Sequence, residues 1–460
     1  MAKIYKFSDF LHRSKIPIDI LDSENYKRVT IKTKHGGVSL RDTEIGKKIG
    51  TKKQFVLKSG QFILSKIDAR YGAFGIAPEE VDNCIITGNF WAYDVDFNLI
   101  DINWFNQYTN SRDFYDLCER ASSGITHRKY LSESAFLNNE ILLPDLDEQR
   151  NSMFKIENLK SLDYNISTEL THQLSLISQL RQAFLREAMQ GTLVSNETSD
   201  GKTGADLLAE IKKEKEQLIK DKKIKKGKPL PPISEEEIPF DIPENWVWCR
   251  LGEISVLNPR NKVDDDLDVG FCPMPLIYSD FQKHNDFEIR KWNQIKSGFT
   301  HFKDNDLVIA KITPCFQNSK NAVIHGLPNK IGAGTTELHV LRLLFSNPYL
   351  YYYFTKSSKF LKEGERTMRG VAGQQRVPTE FIENYIFPLP PLQIQDRIVA
   401  KLDELMQYCH ALEASVKESQ NYNAQLLQQV LREALEGKEE SKEEAVALVA
   451  EDEEIYQKKK

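Results

Sequence analysis

Leu143-Pro144-Asp145-Leu146-Asp147-Glu148-Gln149 and Leu389-Pro390-Pro391-Leu392-Gln393-Ile394-Gln395 are one stretch written twice, 246 positions apart. The correspondence continues in both directions without a gap. Upstream, Gly88 falls on Gly334, Thr109 and Ser111 on Thr355 and Ser357, and Phe114, Glu119, Arg120 and Gly124 on Phe360, Glu365, Arg366 and Gly370. Downstream, Leu185-Arg186-Glu187-Ala188 falls on Leu431-Arg432-Glu433-Ala434, and Gly191 on Gly437. At an offset of 245, Phe62-Ile63-Leu64-Ser65-Lys66-Ile67 falls on Leu307-Val308-Ile309-Ala310-Lys311-Ile312. A unit this long is not a solenoid repeat, whose period is about 20–50 residues. It predicts a pseudo-dimer in one polypeptide, with two similar sites related by a pseudo-two-fold axis.

Each copy opens a long heptad pattern after its proline turn. Ile398, Leu402, Leu405, Cys409, Leu412, Val416, Ser419, Asn423, Leu426 and Val430 step by alternating fours and threes. The same register one repeat earlier holds Ile156, Leu159, Asp163, Ile166, Leu170, Gln173, Ile177, Leu180 and Phe184. Sustained a/d spacing is a coiled-coil seam, and its polar members fix register at some cost in stability. Proline turns start both helices, and Gly191 and Gly437 stop them. Two matched seams in one chain predict a mutual antiparallel coiled coil; the alternative is two helices each lying on its own globule. About 45 residues at 1.5 Å rise make a rod of roughly 65–70 Å. That is close to two turns of B-DNA at roughly 34–36 Å each.

The fold class is α+β, in two tandem pseudo-symmetric repeats of a globule followed by a long helix. The divisions are 1–145, first globule; 146–194, first helix; 195–235, charged linker; 236–391, second globule; 392–437, second helix; and 438–460, charged tail. Helical segments are predicted at Ile102–Cys118 and Pro348–Leu361, among short β-rich runs. The linker reads as solvent-exposed, with a helix over Ala205–Lys226 carrying few apolar anchors, and the tail as a frayed helix or disorder. With 460 residues, 40% hydrophobic and 28% charged, the composition is that of a soluble protein. No run reaches the roughly 18–20 apolar residues of a membrane span, and the first residues lack a signal peptide's apolar stretch. Six scattered cysteines without a C-x-x-C pair indicate a reducing, cytoplasmic setting and no structural zinc. Net charge is −5, but residues 1–75 hold 16 Lys+Arg against 7 Asp+Glu, leaving −14 on the rest. A basic region inside an acidic chain points to a phosphate-bearing partner, or to a solvated surface.

Catalytic patterns are missing. Gly46-Lys47-Lys48-Ile49-Gly50-Thr51 has the wrong spacing for a phosphate loop, and Gly332-x-Gly334 lacks the context of a dinucleotide fingerprint. Asp145 with Glu148 suggests a nuclease pair, but Pro391 and Ile394 replace them in the other copy. The nine histidines have no metal-ligand spacing. A non-enzymatic recognition subunit or scaffold is indicated.

Several stretches together resemble the specificity (S) subunits of type I restriction–modification systems, the HsdS family. They are Phe387–Met406, Asp306-Leu-Val-Ile-Ala-Lys-Ile-Thr-Pro-Cys-Phe316, Ile238–Ile254 with its Pro-Glu-Asn-Trp, and Gln182–Gly191. The first globule departs most, with Lys66-Ile67-Asp68-Ala69-Arg70 in place of the Lys-Ile-Thr-Pro-Cys pattern. The resemblance implies that each globule is a target recognition domain reading one half-site of double-stranded DNA, with the coiled coil as a spacer ruler. It implies two methyltransferase (M) subunits and restriction/motor (R) subunits as partners. These would use S-adenosylmethionine and ATP with Mg, and this chain would bind no cofactor or metal directly. The competing reading is a pseudo-symmetric scaffold joining two proteins without DNA readout.

Base readout needs Arg, Lys, Gln or Asn at base edges, with small polar groups on phosphates. Three candidate groups have that chemistry. The loop before each Leu-Pro turn contains Ser123, Thr126, His127, Arg128 and Lys129 in one copy and Arg369, Gln374, Gln375 and Arg376 in the other; the alternative is an ordinary surface turn. The basic region 32–53 offers Lys32, Lys34, Arg41, Lys47, Lys48, Lys52 and Lys53 to phosphate, or to solvent. The third group is the strand pair of Lys66 with Arg70 and Lys311 with Thr313, Gln317 and Asn318, in which Lys66 and Lys311 are equivalent lysines inside apolar strands. A lysine there needs a partner, an internal carboxylate or DNA.

Overall fold

The computed structural model describes residues 3–125, 128–281, 283 and 285–436, and the side chains of all but 125, 128 and 431–436. Gly437, the tail 438–460, Thr126 and His127 lie outside the described residues, as does the side chain of Arg128. The chain divides into two compact units, residues 1–169 with 419–460, and 170–418.

The first unit has a four-stranded sheet ordered Leu11–Ser14, Phe90–Val95, Phe62–Ser65, Phe74–Ile76. The strand Phe62–Ser65 is buried throughout, which explains its unbroken apolar run. Lys3–Lys6 pairs antiparallel with Glu140–Leu143. A five-stranded sheet, built on the long hairpin Asn25–Ile31 and Val38–Ile45, extends this globule. The second unit repeats the first two elements: the sheet Ser255–Leu257, Leu338–Leu343, Leu307–Ala310, Asn321–Val323, and the pair Val247–Arg250 with Ile386–Leu389. A second four-stranded sheet in this unit centres on Asp268–Cys272 and Ile331–Gly334, which run parallel.

The matched Thr/Ser pairs of the two copies break a helix. Where one helix is predicted over 102–118, two form, Ile102–Thr109 and Arg112–Arg120. Where one is predicted over 348–361, Pro348–Phe354 and Ser358–Thr367 form. Ser111 and Ser357 accept from the amides of Phe114 and Phe360, and so each starts a new helix. Thr109 and Thr355 turn their hydroxyls back onto Asn106 and Tyr351 carbonyls.

Gln149 and Gln395, matched in sequence, are both fully buried. Gln149 Oε1 accepts from the Asp101 amide at 2.7 Å, and its Nε2 donates to the Pro144 carbonyl at 2.8 Å. Gln395 repeats this with the Asn347 amide at 2.9 Å and the Pro390 carbonyl at 3.0 Å. Each glutamine bolts a long helix to the first short helix of its globule, and satisfies buried backbone groups in doing so. Asp145 and Glu148, the pair with nuclease character, are a helix cap: the Glu148 amide donates to Asp145 and the Asp145 amide to Glu148.

The long helices are Leu146–Gln190 and Leu392–Glu436, and Gly191 ends the first with φ 73°. In the second unit, Ile177 packs with Cys409 and Val416, while Leu185 joins Ile398, Leu402 and Met406. As one helix advances the other recedes, so the packing is antiparallel. Arg181 pairs with Glu413 at 2.7 Å. In the first unit, the polar seam positions meet: Asn423 donates to Asp163 at 2.6 Å. The seam departs from expectation at Ile166, Leu180, Leu412 and Leu426, which are 37%, 39%, 50% and 60% exposed. Leu159, Leu170, Phe184, Leu405 and Val430 are half-buried, and Ile156 is buried. One seven-residue line of each seam is covered, and the line beside it is open at Ile166, Leu180, Leu412 and Leu426, although Ile398 on it is buried in the second unit's core.

The linker also departs from expectation. Its helix, Gly204–Lys220, buries Leu207, Leu208 and Ile211 in the core of the second unit. Lys215 donates to the Gly252 and Ser255 carbonyls at the end of a strand and helix. Farther on, Arg250 gathers the Pro-rich run: Nε donates to the Pro231 carbonyl, Nη2 to Pro232 and to the Glu237 carboxylate, and Nη1 to Asn384. Three apolar side chains at helical spacing suffice to dock a segment whose remaining residues are charged.

Candidate nucleic-acid interface

In the second unit, strand Leu307–Ala310 delivers Lys311 to a turn spanning 311–320. The Lys311 amide donates to the Glu337 carbonyl at 2.9 Å, and its carbonyl accepts from the Val377 amide at 2.9 Å. Thr313 then zips to the other loop: its amide donates to the Gln375 carbonyl, and its hydroxyl accepts from the Gln375 amide. Arg369 and Arg376 exchange backbone bonds at 3.1 and 2.9 Å, closing a loop in which Gly370 has φ 124°. An L side chain rarely adopts that angle, so glycine is needed. The sequence groups 311–318 and 369–376 are therefore one platform.

The first unit contains the same core of bonds. The Lys66 amide donates to the Asn89 carbonyl at 2.9 Å, and its carbonyl accepts from Leu131 at 2.8 Å. Leu131 ends a hairpin, Ser122–Ile125 with Arg128–Leu131, in which Gly124 has φ 141°. Leu131 and Val377 are repeat equivalents, as are Gly124 and Gly370. The basic hairpin tip joins this platform: the Lys34 and His35 amides donate to the Tyr71 and Gly72 carbonyls, beside Arg70. His35 is further fixed by Thr109 Oγ1 at 3.0 Å, and burial keeps its imidazole below the ordinary range. All three sequence groups thus meet in the first unit.

Several expected contacts are committed within the protein. Arg376 does not stand free. Its Nε and Nη2 donate to the two oxygens of Glu337 at 2.8 and 2.9 Å, and Nη1 donates to the Gln374 carbonyl. That guanidinium holds the Glu337 carboxyl below the usual range. Lys129 is bonded to Glu119 at 2.6 Å, and Gln317 to Glu365 at 2.5 Å. Lys52 is a strut, donating to Asp22 and the Gly46 carbonyl. Lys48 lies 3.4 Å from Glu44, and Arg41 3.4 Å from Asp42. Neighbouring carboxylates absorb these cations. Among the described residues, Lys32, Lys34, Lys47 and Lys53 are exposed and enter no ion pair. Ser123 is exposed, and Asn318 is exposed at the turn. Lys66 Nζ sits 6.0 Å from the Tyr130 ring, and Arg70 lies over Tyr71 at 4.5 Å. Tyr130 and Tyr71 are 44% and 52% exposed, and their flat faces beside cations suit nucleic acid. Neither was singled out from sequence, although both adjoin residues that were.

Lys356 buttresses the second platform from behind. It is nearly fully buried, donates to the Ser279 and Ser319 carbonyls, and lies 4.8 Å from the Tyr352 ring. Burial pulls its amine down to about 7, with Asp280 opposing. The folded state therefore binds this proton less tightly than the unfolded chain. Its penalty is full below pH 7 and is relieved as pH rises from about 7 toward the ordinary lysine range. Melting temperature is expected to rise between pH 7 and 9.5, and Lys356→Met should remove that rise; an unchanged pH profile in the variant would refute it.

A cavity of about 560 Å³ in the second unit is lined by Leu185, Met189, Phe240, Trp248 and Phe381. Its acids are engaged, Glu237 by Arg250 and Glu363 by the Tyr385 hydroxyl. Among the described residues no cluster of three or more His, Cys, Asp or Glu is placed to hold a metal ion, and no helix is long and apolar enough to cross a membrane.

Residues 243–420 match the family model for the type I restriction modification DNA specificity domain. The Escherichia coli type I restriction enzyme EcoAI specificity subunit is 47% identical over 259 residues, 55% of this chain and 44% of that protein. The second globule and the helix after it are thus similar to a type I DNA specificity domain. The Escherichia coli EcoEI specificity subunit is 45% identical over 258 residues, covering 55% of this chain and 43% of the relative. The match thus spans less than half the length of these curated relatives. Among solved structures, the HsdS subunit of Thermoanaerobacter tengcongensis superposes with a TM-score of 0.53 at 18% identity, over 95% of this chain and 97% of that one. A chain from a study of complex assembly and conformational transition in the type I R-M system gives 0.58 at 17% identity, over 94% and 97%. At these identities the likeness concerns the fold alone.

Proposed function

We propose that this chain is the DNA-recognition subunit of a type I restriction–modification complex, reading a bipartite target with one half-site per globule. The observation that carries this is the paired platform. In each copy a lysine just after a buried strand donates its amide to the residue before the neighbouring strand and accepts at its carbonyl from a glycine-containing polar loop. A scaffold has no need of two such loops. Base-reading amide and guanidinium side chains on one platform, and a lysine and an arginine beside exposed tyrosines on the other, fit duplex recognition.

The chain supplies the address. The chemistry belongs to two methyltransferase subunits that bind S-adenosylmethionine, and to restriction subunits that use ATP and Mg. The exposed seam residues, Ile166 and Leu426 in the first unit and Leu180 and Leu412 in the second, favour docking of those partners on the long helices, since a further helix laid on either pair would complete its burial. The testing experiment maps methylated adenines genome-wide in a host expressing this chain with its cognate methyltransferase subunit, against a host lacking it. A bipartite motif only in the presence of the chain is the expected result. Its absence from a soluble, assembled complex would overturn the reading.

A further inference from the structure

We infer that Glu337 is a positioning residue for the second half-site, and that Arg369, Gln374 and Gln375 read bases there while Arg376 is kept from doing so. The inference rests on the DNA-recognition reading above. Arg376 has the side chain best suited to guanine, yet the geometry withdraws it. Three of the five guanidinium donors are engaged, with the Nε/Nη2 edge on the two Glu337 oxygens and one Nη1 hydrogen on the Gln374 carbonyl of its own loop, which fixes the group's direction. Glu337 is itself fixed, because its carbonyl accepts from the Lys311 amide and its amide donates to Thr335 Oγ1. The next alternate residue, His339, is buried and holds the Val377 carbonyl at 2.9 Å. A rigid strand end therefore grips the loop at Arg376 and Val377, one at the side chain and one at the backbone.

The grip has two consequences for what the loop presents. It sets the path of 369–375, because Arg376 closes the loop through Arg369 and supports the Gln374 carbonyl. It also neutralises a cation that would otherwise face the duplex. The exposed side chains of Arg369 and Gln374, and the half-buried Gln375, form no hydrogen bond among the described residues. Glutamine can bond adenine at two positions, and arginine can do the same with guanine.

Glu337→Gln removes one partner and releases the guanidinium. The test maps methylation in cells expressing the full chain with its methyltransferase subunit, as wild type, E337Q and the double variant E337Q/R376Q, and measures DNA binding of each complex against salt. Under the proposal, E337Q changes one half-site only, toward guanine at one position, and steepens the slope of log K against log salt by about 0.9 for one added phosphate contact. The double variant, whose two amides can bond each other across the same gap and so hold the loop with no cation to release, keeps the wild-type motif and slope. An unchanged motif in E337Q overturns the inference while leaving the recognition reading intact. So does equal damage to both half-sites. A double variant that loses the half-site shows that Arg376 itself reads a base, and also overturns it. If E337Q fails to fold, the double variant decides by the same two results. A wild-type complex that yields no bipartite motif overturns the recognition reading and this inference with it.

Discussion

Arg250→Ala is expected to destabilise the second unit by about 3 kcal/mol, because it removes a buried guanidinium that is the partner of three backbone carbonyls and of Glu237. The guanidinium is only 4% exposed and joins three separate segments: the Pro231–Pro232 run, Glu237 and the Asn384 turn. Glu237 keeps contact with water, which holds the cost to the lower end for a broken buried pair. At about 2–4 °C per kcal/mol for a unit of this size, the melting temperature should fall by roughly 6–12 °C. Arg250→Lys should recover less than half of the loss, since one ammonium cannot span contacts that a planar fork reaches together. A melt unchanged by Arg250→Ala would mean that the linker contributes nothing to this unit's stability.

Gln374→Ala combined with Gln375→Ala is expected to relax one half-site by roughly 10–100-fold, the discrimination carried by one bidentate base contact of about 1–3 kcal/mol. The other half-site should be untouched. Lys47→Ala with Lys53→Ala should behave in the opposite way, weakening binding to all sequences alike and flattening the salt dependence by about one phosphate per lysine that touches DNA. Competition binding with duplexes altered in one half-site at a time separates the two effects. Loss at both half-sites from the glutamine pair would rule out modular readout.

The repeat was legible because residues with exacting local duties recur at one spacing. Ser111/Ser357 cap helices, Gln149/Gln395 bolt them, and Gly124/Gly370 adopt a backbone angle costly to other residues. The antiparallel helices followed from the seam, but its width did not. Heptad spacing records apolarity on two adjacent lines, while the number of helices needed to cover them is a property of the assembly. The linker misled because composition averages its lysines with Leu207, Leu208 and Ile211, three anchors that are enough for docking. At the candidate interface, sequence identified the loops and missed their wiring. Arg376, Lys129 and Lys52 have side chains suited to DNA, but carboxylates distant in sequence or on the neighbouring strand claim them. Nothing in local pattern marks Glu337 as the partner of a residue 39 positions away.

Glu119 and Glu365 occupy equivalent places in the two copies, one bonded to Lys129 and the other to Gln317. The acid is the same in both copies, but what it binds is not: one holds a cation of the adjoining hairpin, the other an amide from a different loop. A cation placed within reach of either carboxylate is thereby neutralised, so the charge that each surface can present is set by which of its side chains lie beyond that reach.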